Sequence, residues 1–179
     1  IWKIQTDGLP LPEIERIFSE PFYDKLERVI LAGGEPTIRR DLADVASFFI
    51  DRLPRLRAMA ILTNGYNTKN IMFAVNSILD RMDADPRGGH YLAVQIALDG
   101  LDEEYNKIRG IHKAWSRTHE TIKQLKQLSL ERPNLGLMLH VVIQPNNLEH
   151  LDEINAFAKN LDIPILFSPV VVSDTYFGN

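Results

Sequence analysis

The chain has 179 residues, 45% of them hydrophobic and 25% charged, which suits one globular domain with a full core of its own. A net charge of −4 removes the bulk electrostatic reason to expect nucleic acid or an anionic membrane as a partner. There is no cysteine, which excludes a disulfide framework and a thiolate metal site within these residues, and no apolar run approaches the ~20 residues of a membrane span.

In chain order, the first helix is expected over Pro12 to Phe18, with Pro12 suited to the first turn. A short apolar strand, Val29 to Ala32, then runs into Gly33-Gly34-Glu35-Pro36. Asp41 is placed to cap a second helix, in which Leu42, Val45, Ala46, Phe49, Ile50 and Leu53 form one core-facing stripe closed by Pro54. The strand Ala58 to Leu62 ends in Thr63-Asn64-Gly65, and a third helix follows Thr68 with Ile71, Val75, Ile78, Leu79 and Met82 on one face. Asp83 to His90 reads as a long helix-to-strand connection rather than a site. The strand Leu92 to Leu98 ends in Asp99-Gly100, and a fourth helix is expected from about Thr118 to Leu130. Leu137 to Ile143 ends in Gln144 to Asn147, a fifth helix runs from about Leu148 to Leu161, and Ile163 to Phe167 ends in Ser168-Pro169.

These strands do not alternate cleanly with polar residues, the pattern of strands covered on both faces. Strand and helix alternating at this spacing predict right-handed βα units on a parallel sheet, either doubly wound or part of a (β/α) barrel. In either case the strands' C-terminal corners lie on one side, where such folds place ligands. Gly33 and Gly34 let a backbone approach a ligand closely, Glu35 could accept hydrogen bonds from an ammonium, and Pro36 stiffens the exit. Asn64-Gly65 and Asp99-Gly100 taken singly are ordinary turn signals. His112 and His119 could share a helix face, but no acid joins them at ligand spacing; His90, His140 and His150 are scattered. Arg39, Arg40, Arg52, Arg55 and Arg57 are expected on solvated helix faces, and Trp2 and Trp115 in packing. No glycine-rich phosphate loop and no Ser-His-Asp arrangement is present.

Three stretches, LAGGEPTIRRDL, LTNGY and ALDGLDEEYNKIRG, in that order and spacing, resemble the core of the radical S-adenosylmethionine (radical SAM) enzymes. The resemblance runs from the start of the chain to about Val171. It implies an α/β fold of parallel βα repeats: a partial TIM-like (β/α)6 barrel lacking its first strand and its cluster loop. Residues 1–179 would then be one core, a fragment without the cluster segment or a C-terminal SPASM/twitch-type domain. Gly33, Gly34 and Glu35 look like the family's GGE motif, which holds the methionyl amino group of SAM. Asn64 matches a position near the SAM carboxylate, Asp99 lies beside a SAM-binding position, and Arg109 matches a basic residue that can reach the carboxylate. Asn147 and Ser168 fall where the family lines the adenosine or substrate side.

Two departures stand out. Ala97 occupies a position where the family usually has serine, and the Cys-x3-Cys-x2-Cys segment that binds the [4Fe–4S] cluster is absent. In related sequences a dipeptide like Ile1-Trp2 often follows that segment, so the chain is expected to be a piece of a longer protein. By resemblance that protein would use SAM and a [4Fe–4S] cluster, take electrons from a flavodoxin or ferredoxin, and abstract hydrogen from an unknown small-molecule or peptide substrate in the cytoplasm. No nucleic-acid or membrane partner is expected, and this chain alone should be inactive. The alternatives are a degenerate, non-catalytic binding module and an unrelated (β/α) barrel enzyme.

Overall fold

The computed structural model describes residues 8–170; Trp2 and the Ile1-Trp2 dipeptide lie outside them, as does Val171. Five parallel strands form one sheet in the order β1-β2-β3-β4-β5: Arg28–Leu31, Ala58–Thr63, Tyr91–Ala97, Leu135–Ile143 and Ile165–Pro169. Between them lie α2 (Leu42–Arg52), α3 (Thr68–Asp83), α4 (Asp102–Arg109) with α5 (Ala114–Glu131), and α6 (Leu151–Asn160); α1 (Leu11–Phe18) precedes β1. Strand order equal to chain order, with right-handed crossovers, places every crossover helix on one side of the sheet. This is the curl of a barrel; a doubly wound sheet reverses its strand order.

The expectation of strands covered on both faces is therefore corrected. Met59 and Ile61, then Leu92, Val94 and Ile96, then Leu139 and Val141 are buried against Val45, Ile50, Val75, Leu79, Ile122 and Ile154 from the helices. The alternate set (Ala60 and Leu62, Ala93, Gln95 and Ala97, Met138 and His140) is only half-buried. On the edge strands the same face exposes Ile30 by 64% and Leu166 by 44%. Alternation was hidden because most residues of this inner face are apolar although only half-buried.

Helix α4 was not expected, because Tyr105 is its only buried residue; it stops at Gly110, whose φ of 65° is the left-handed conformation of a helix cap. Helix α5 starts four residues early, its buried face including Thr118 and Thr121, which no apolar stripe reveals. This start leaves His112 in the preceding turn, off the helix that carries His119. His119 stacks on Trp115 at 4.9 Å, and Trp115 packs as expected. Strand β5 starts later than expected, because the Ile163 N–H donates to the Ala158 carbonyl and closes α6.

Several arginines tie elements together rather than decorating solvated faces. Arg39 grips both oxygens of Asp41 at 2.8 Å and donates to the Leu9 carbonyl, so the Asp41 side chain pairs with Arg39 and does not cap α2. Arg52 donates to Asp24 and to the carbonyls of Ser19 and Glu20. The Asp83–His90 connection encloses a buried cluster. Asp85 accepts from the backbone and guanidinium of Arg87 and lies 3.0 Å from His90 Nε2, while Arg87 also donates to the carbonyls of Ile50 and Leu53. These bonds lock the end of α2 to the start of β3, away from the polar corners. None of the described helices is long and apolar enough to cross a membrane.

Candidate functional site

At the C-terminal ends of β1 to β4 the corners line an open cavity of about 190 Å³. Gly33 and Gly34 form its rim, Asn64 and Arg109 its sides, and Gln95, Ala97 and His140 part of its floor. Gly33 has φ of 143°, and a Cβ built on either glycine meets no heavy atom within 4 Å. The rim is thus bare backbone, with its amides and carbonyls unshielded by side chains.

Glu35 holds this corner against the next. Its Oε1 accepts from the Thr37 N–H at 3.2 Å, the Thr37 hydroxyl at 2.6 Å and the Thr63 hydroxyl at 2.8 Å, and its Oε2 accepts from the Asn64 N–H at 2.7 Å. The carboxylate expected to accept from an ammonium has four protein donors, three on Oε1 and one on Oε2, and clasps β1 to β2. Pro36 opens the short helical turn Pro36–Ile38 that brings Thr37 into place.

The Thr63-Asn64-Gly65 corner is fixed from below by α4 and α5. The Tyr105 and Thr118 hydroxyls donate to the Asn64 carbonyl at 3.0 and 3.2 Å, and the Thr121 hydroxyl donates to the Gly65 carbonyl at 2.6 Å. Burial raises the Tyr105 phenol above its ordinary range, so it keeps its proton and its role as donor. Asn64 Oδ1 accepts from the Tyr66 N–H at 2.8 Å, which leaves Nδ2 as its remaining donor. Gly65 has φ of 76° and no spare room: a Cβ would lie 2.8 Å from Thr118 Cγ2.

Asp99 and Asn147 form a second clasp, between β3 and β4. Asp99 Oδ1 accepts from the Val142 N–H at 2.8 Å, and Asn147 Nδ2 donates to the carbonyls of Asp99 and Val142 at 3.1 and 2.9 Å. Asn147 Oδ1 accepts from the Gln144 N–H at 2.9 Å. Its side chain is wholly buried and does not line the cavity, unlike the expectation of an adenosine or substrate contact.

Arg109 leaves the last turn of α4, passes over the Tyr105 ring at 5.2 Å and brings Nη2 to 3.1 Å from Asp99 Oδ2. That approach lacks hydrogen-bond alignment. Among the described residues Arg109 Nε and Nη2 are buried donors without a hydrogen-bond acceptor. Buried unpaired donors are costly, and a guanidinium in a cavity wall is suited to a bidentate anion.

Ser168 does not line the cavity; its Oγ lies 2.7 Å from His140 Nε2, and His140 does. His140 is thus the residue that the sequence left among scattered histidines. Its signal was its parity within LMLHVVI: the register pairs it with Ala97 on the inner face, as it pairs Gln95 with Met138. Of the eight residues expected at the site, Gly33, Gly34, Asn64 and Arg109 meet at the cavity, Glu35 and Asp99 support it from behind, and Asn147 and Ser168 stand outside it.

Residues 4–158 match the family model described as the Radical SAM superfamily. A GTP 3′,8-cyclase of Photorhabdus laumondii is 33% identical over 124 residues, which cover 64% of this chain and 35% of that protein. A GTP 3′,8-cyclase of Synechococcus elongatus is 29% identical over 161 residues, covering 89% of this chain and 44% of its own. A molybdenum cofactor biosynthesis protein of Caenorhabditis elegans is 26% identical over 180 aligned residues, 91% of this chain and 26% of that protein. The chain thus spans less than half the length of these relatives.

Proposed function

This chain belongs to the radical SAM superfamily, and from that premise we propose that its cavity holds the methionyl end of S-adenosylmethionine in a protein that abstracts hydrogen from a substrate. The observation that carries the reading is Arg109, a partly exposed guanidinium paired with Asp99 at 3.1 Å in the wall of a cavity that Gly33 and Gly34 also line. A ligand carboxylate would join Asp99 at the guanidinium, and an ammonium would find carbonyl acceptors at Gly33 and Gly34. Asn64 Nδ2 supplies a further donor on the carboxylate side. Glu35 shapes the corner through the bonds it accepts from Thr37, Thr63 and Asn64, and its Oε2, with one donor, keeps a lone pair for the ammonium.

When bound beside a reduced [4Fe–4S] cluster, S-adenosylmethionine supplies a carbon radical capable of taking a hydrogen atom from an unreactive position. The chain has no cysteine, so the thiolate ligands of that cluster are not among its 179 residues. Among the described residues no group of three or more acids and histidines is placed to hold a metal instead. What these residues contribute is binding and orientation of the amino-acid end of the cofactor, in a cavity that ends at Ala97 and His140. In the whole protein, a reductant of the flavodoxin or ferredoxin class would feed the cluster.

Titration of this chain with S-adenosylmethionine, followed by NMR, tests the reading. Saturable shifts are expected at the Gly33, Gly34 and Asn64 amides and at Arg109 Nε–H. Arg109→Met should weaken binding at least tenfold, about 1.4 kcal/mol. A response at those amides to inorganic phosphate and none to millimolar S-adenosylmethionine would refute the cofactor reading of this cavity.

A further inference from the structure

Helix α3 lies between α2 and α5 in the helix layer. Its apolar face, Ile71, Ala74, Val75, Ile78, Leu79 and Met82, is buried. On the opposite side Lys69, Phe73, Asn76 and Asp80 follow one another at steps of four, three and four residues, so they form one outward stripe. Phe73 stands in that stripe 66% exposed, a large apolar ring among polar groups. The stripe also changes sign along its length. Lys69 is exposed at the N-terminal end, and at the other end the Asp80 side chain is 70% exposed although its Oδ1 accepts from Arg132 at 3.0 Å. Between them Asn76 donates to the Met72 carbonyl at 2.8 Å, which keeps it low on its own helix beside the Phe73 ring.

We propose that this stripe is the docking surface for a second copy of the chain, the two α3 helices packing antiparallel about a two-fold axis. Such an axis requires a surface complementary to its own reversal. A cation at one end, a carboxylate at the other and a ring between them meet that requirement. With Lys69 set opposite Asp80 of the second copy, Phe73 falls opposite Asn76 of that copy. The two Phe73 rings then lie three residues apart along the helices, about 4.5 Å, and cover one another at the centre. Asp83, one turn beyond Asp80, comes over the start of the other α3, where the Arg117 guanidinium lies 4.6 Å from the Tyr66 ring. The change of sign selects this occupant. A partner with a wholly acidic surface would be repelled by Asp80 and Asp83, and a wholly basic one by Lys69. The stripe is on the outside of the helix layer, so the pairing leaves the cavity at the strand ends open.

The test is sedimentation of the 179-residue chain from about 10 µM to about 300 µM, with carbodiimide cross-linking of the same samples. A reversible monomer–dimer equilibrium is expected, and mass spectrometry of the cross-linked dimer should find an amide between Lys69 Nζ and the Asp80 carboxyl. Within one chain these residues stand about 16 Å apart along the helix, so a zero-length link between them joins two molecules. Phe73→Ser should raise the dissociation constant about tenfold or more. Lys69→Glu and Asp80→Lys should each weaken the dimer, because like charges then meet twice across the axis. The double exchange should return the constant to within about threefold of the parent's. All three positions face outward, so thermal unfolding of the variants should stay close to the parent's. A monomer across the whole range overturns the proposal. So does a dimer that Phe73→Ser leaves unchanged, which would place self-association at the outer strands β1 and β5. A double exchange that fails to restore the dimer overturns the antiparallel pairing and the proposal with it.

Discussion

The Asn64 N–H donates to Glu35 Oε2 at 2.7 Å, so the carboxylate of the first corner is a structural part of the second. Glutamine at position 35 can keep one oxygen for Thr37 and Thr63 but must turn its NH2 toward the Asn64 N–H, donor against donor. Glu35→Gln is therefore expected to lose about 1–3 kcal/mol of stability, read from urea unfolding. Full stability together with lost S-adenosylmethionine binding would show that Glu35 serves the ligand without holding the corner.

Asn147 makes a different prediction from the residues beside it. Asn147→Leu strands the carbonyls of Asp99 and Val142 and the Gln144 N–H in a buried place, at a cost of about 2–3 kcal/mol. At a temperature where the variant is folded, its S-adenosylmethionine affinity should equal the parent's. A folded variant with weakened binding would return Asn147 to the ligand surface.

Gly34 and Gly65 should separate ligand space from packing. Gly65→Ala places a methyl 2.8 Å from Thr118 and 3.1 Å from Ile96 at a positive φ, and should cost roughly 2 kcal/mol or more. Gly34→Ala meets nothing within 4 Å, so its stability should stay within about 0.5 kcal/mol while cofactor affinity falls. Thermal melts and titrations of both variants decide the matter; equal melting losses would refute the division.

Acid stability should depend on Asp85. Hydrogen bonding to the Arg87 guanidinium, then to the Arg87 N–H and His90, holds its carboxyl well below the usual carboxylate range, against the opposing effect of burial. The unfolded chain takes up this proton first. The contribution is therefore complete above the unfolded value of about 4 and drains away as pH falls from there toward the folded value. Asp85→Asn should be about 3 kcal/mol less stable at neutral pH and show a flatter loss of stability between pH 5 and 2 (both limits approximate). Identical slopes for parent and variant would assign acid unfolding to other groups.

How far the sequence reveals this molecule differs between its two faces. The helix stripes of α2 and α3 were legible because Leu42 to Leu53 and Ile71 to Met82 meet one continuous core, and the core repeats their period. The corners were legible because glycine, asparagine and aspartate end apolar runs. Their division of labour was not, since a motif does not show that Asn147 is wholly buried among protein donors and acceptors while Arg109, paired with Asp99, also lines the cavity. His140 and Gln95 were hidden for a related reason. Each sits singly in a run whose other inner-face residues are apolar although only half-covered, so neither alternation nor spacing marks them. Helix α4 went unseen because one tyrosine holds it, through hydroxyl contacts that have no period.

The agreement of strand order with chain order has a consequence for how the molecule is made. Arg28 pairs with Ala58, Ala58 with Tyr91, Leu92 with Leu135 and Leu139 with Ile165, so each new strand docks on the one synthesised just before it. Among the described residues no strand waits for a distant partner, and loop-closure entropy is met in short instalments rather than one long search. The growing chain should thus acquire protease resistance in steps, one βα unit at a time, as it leaves the ribosome. The corner clasps follow the same order: Glu35 can close on Asn64 before β3 exists, whereas the seat of His140 is completed only when β5 brings Ser168.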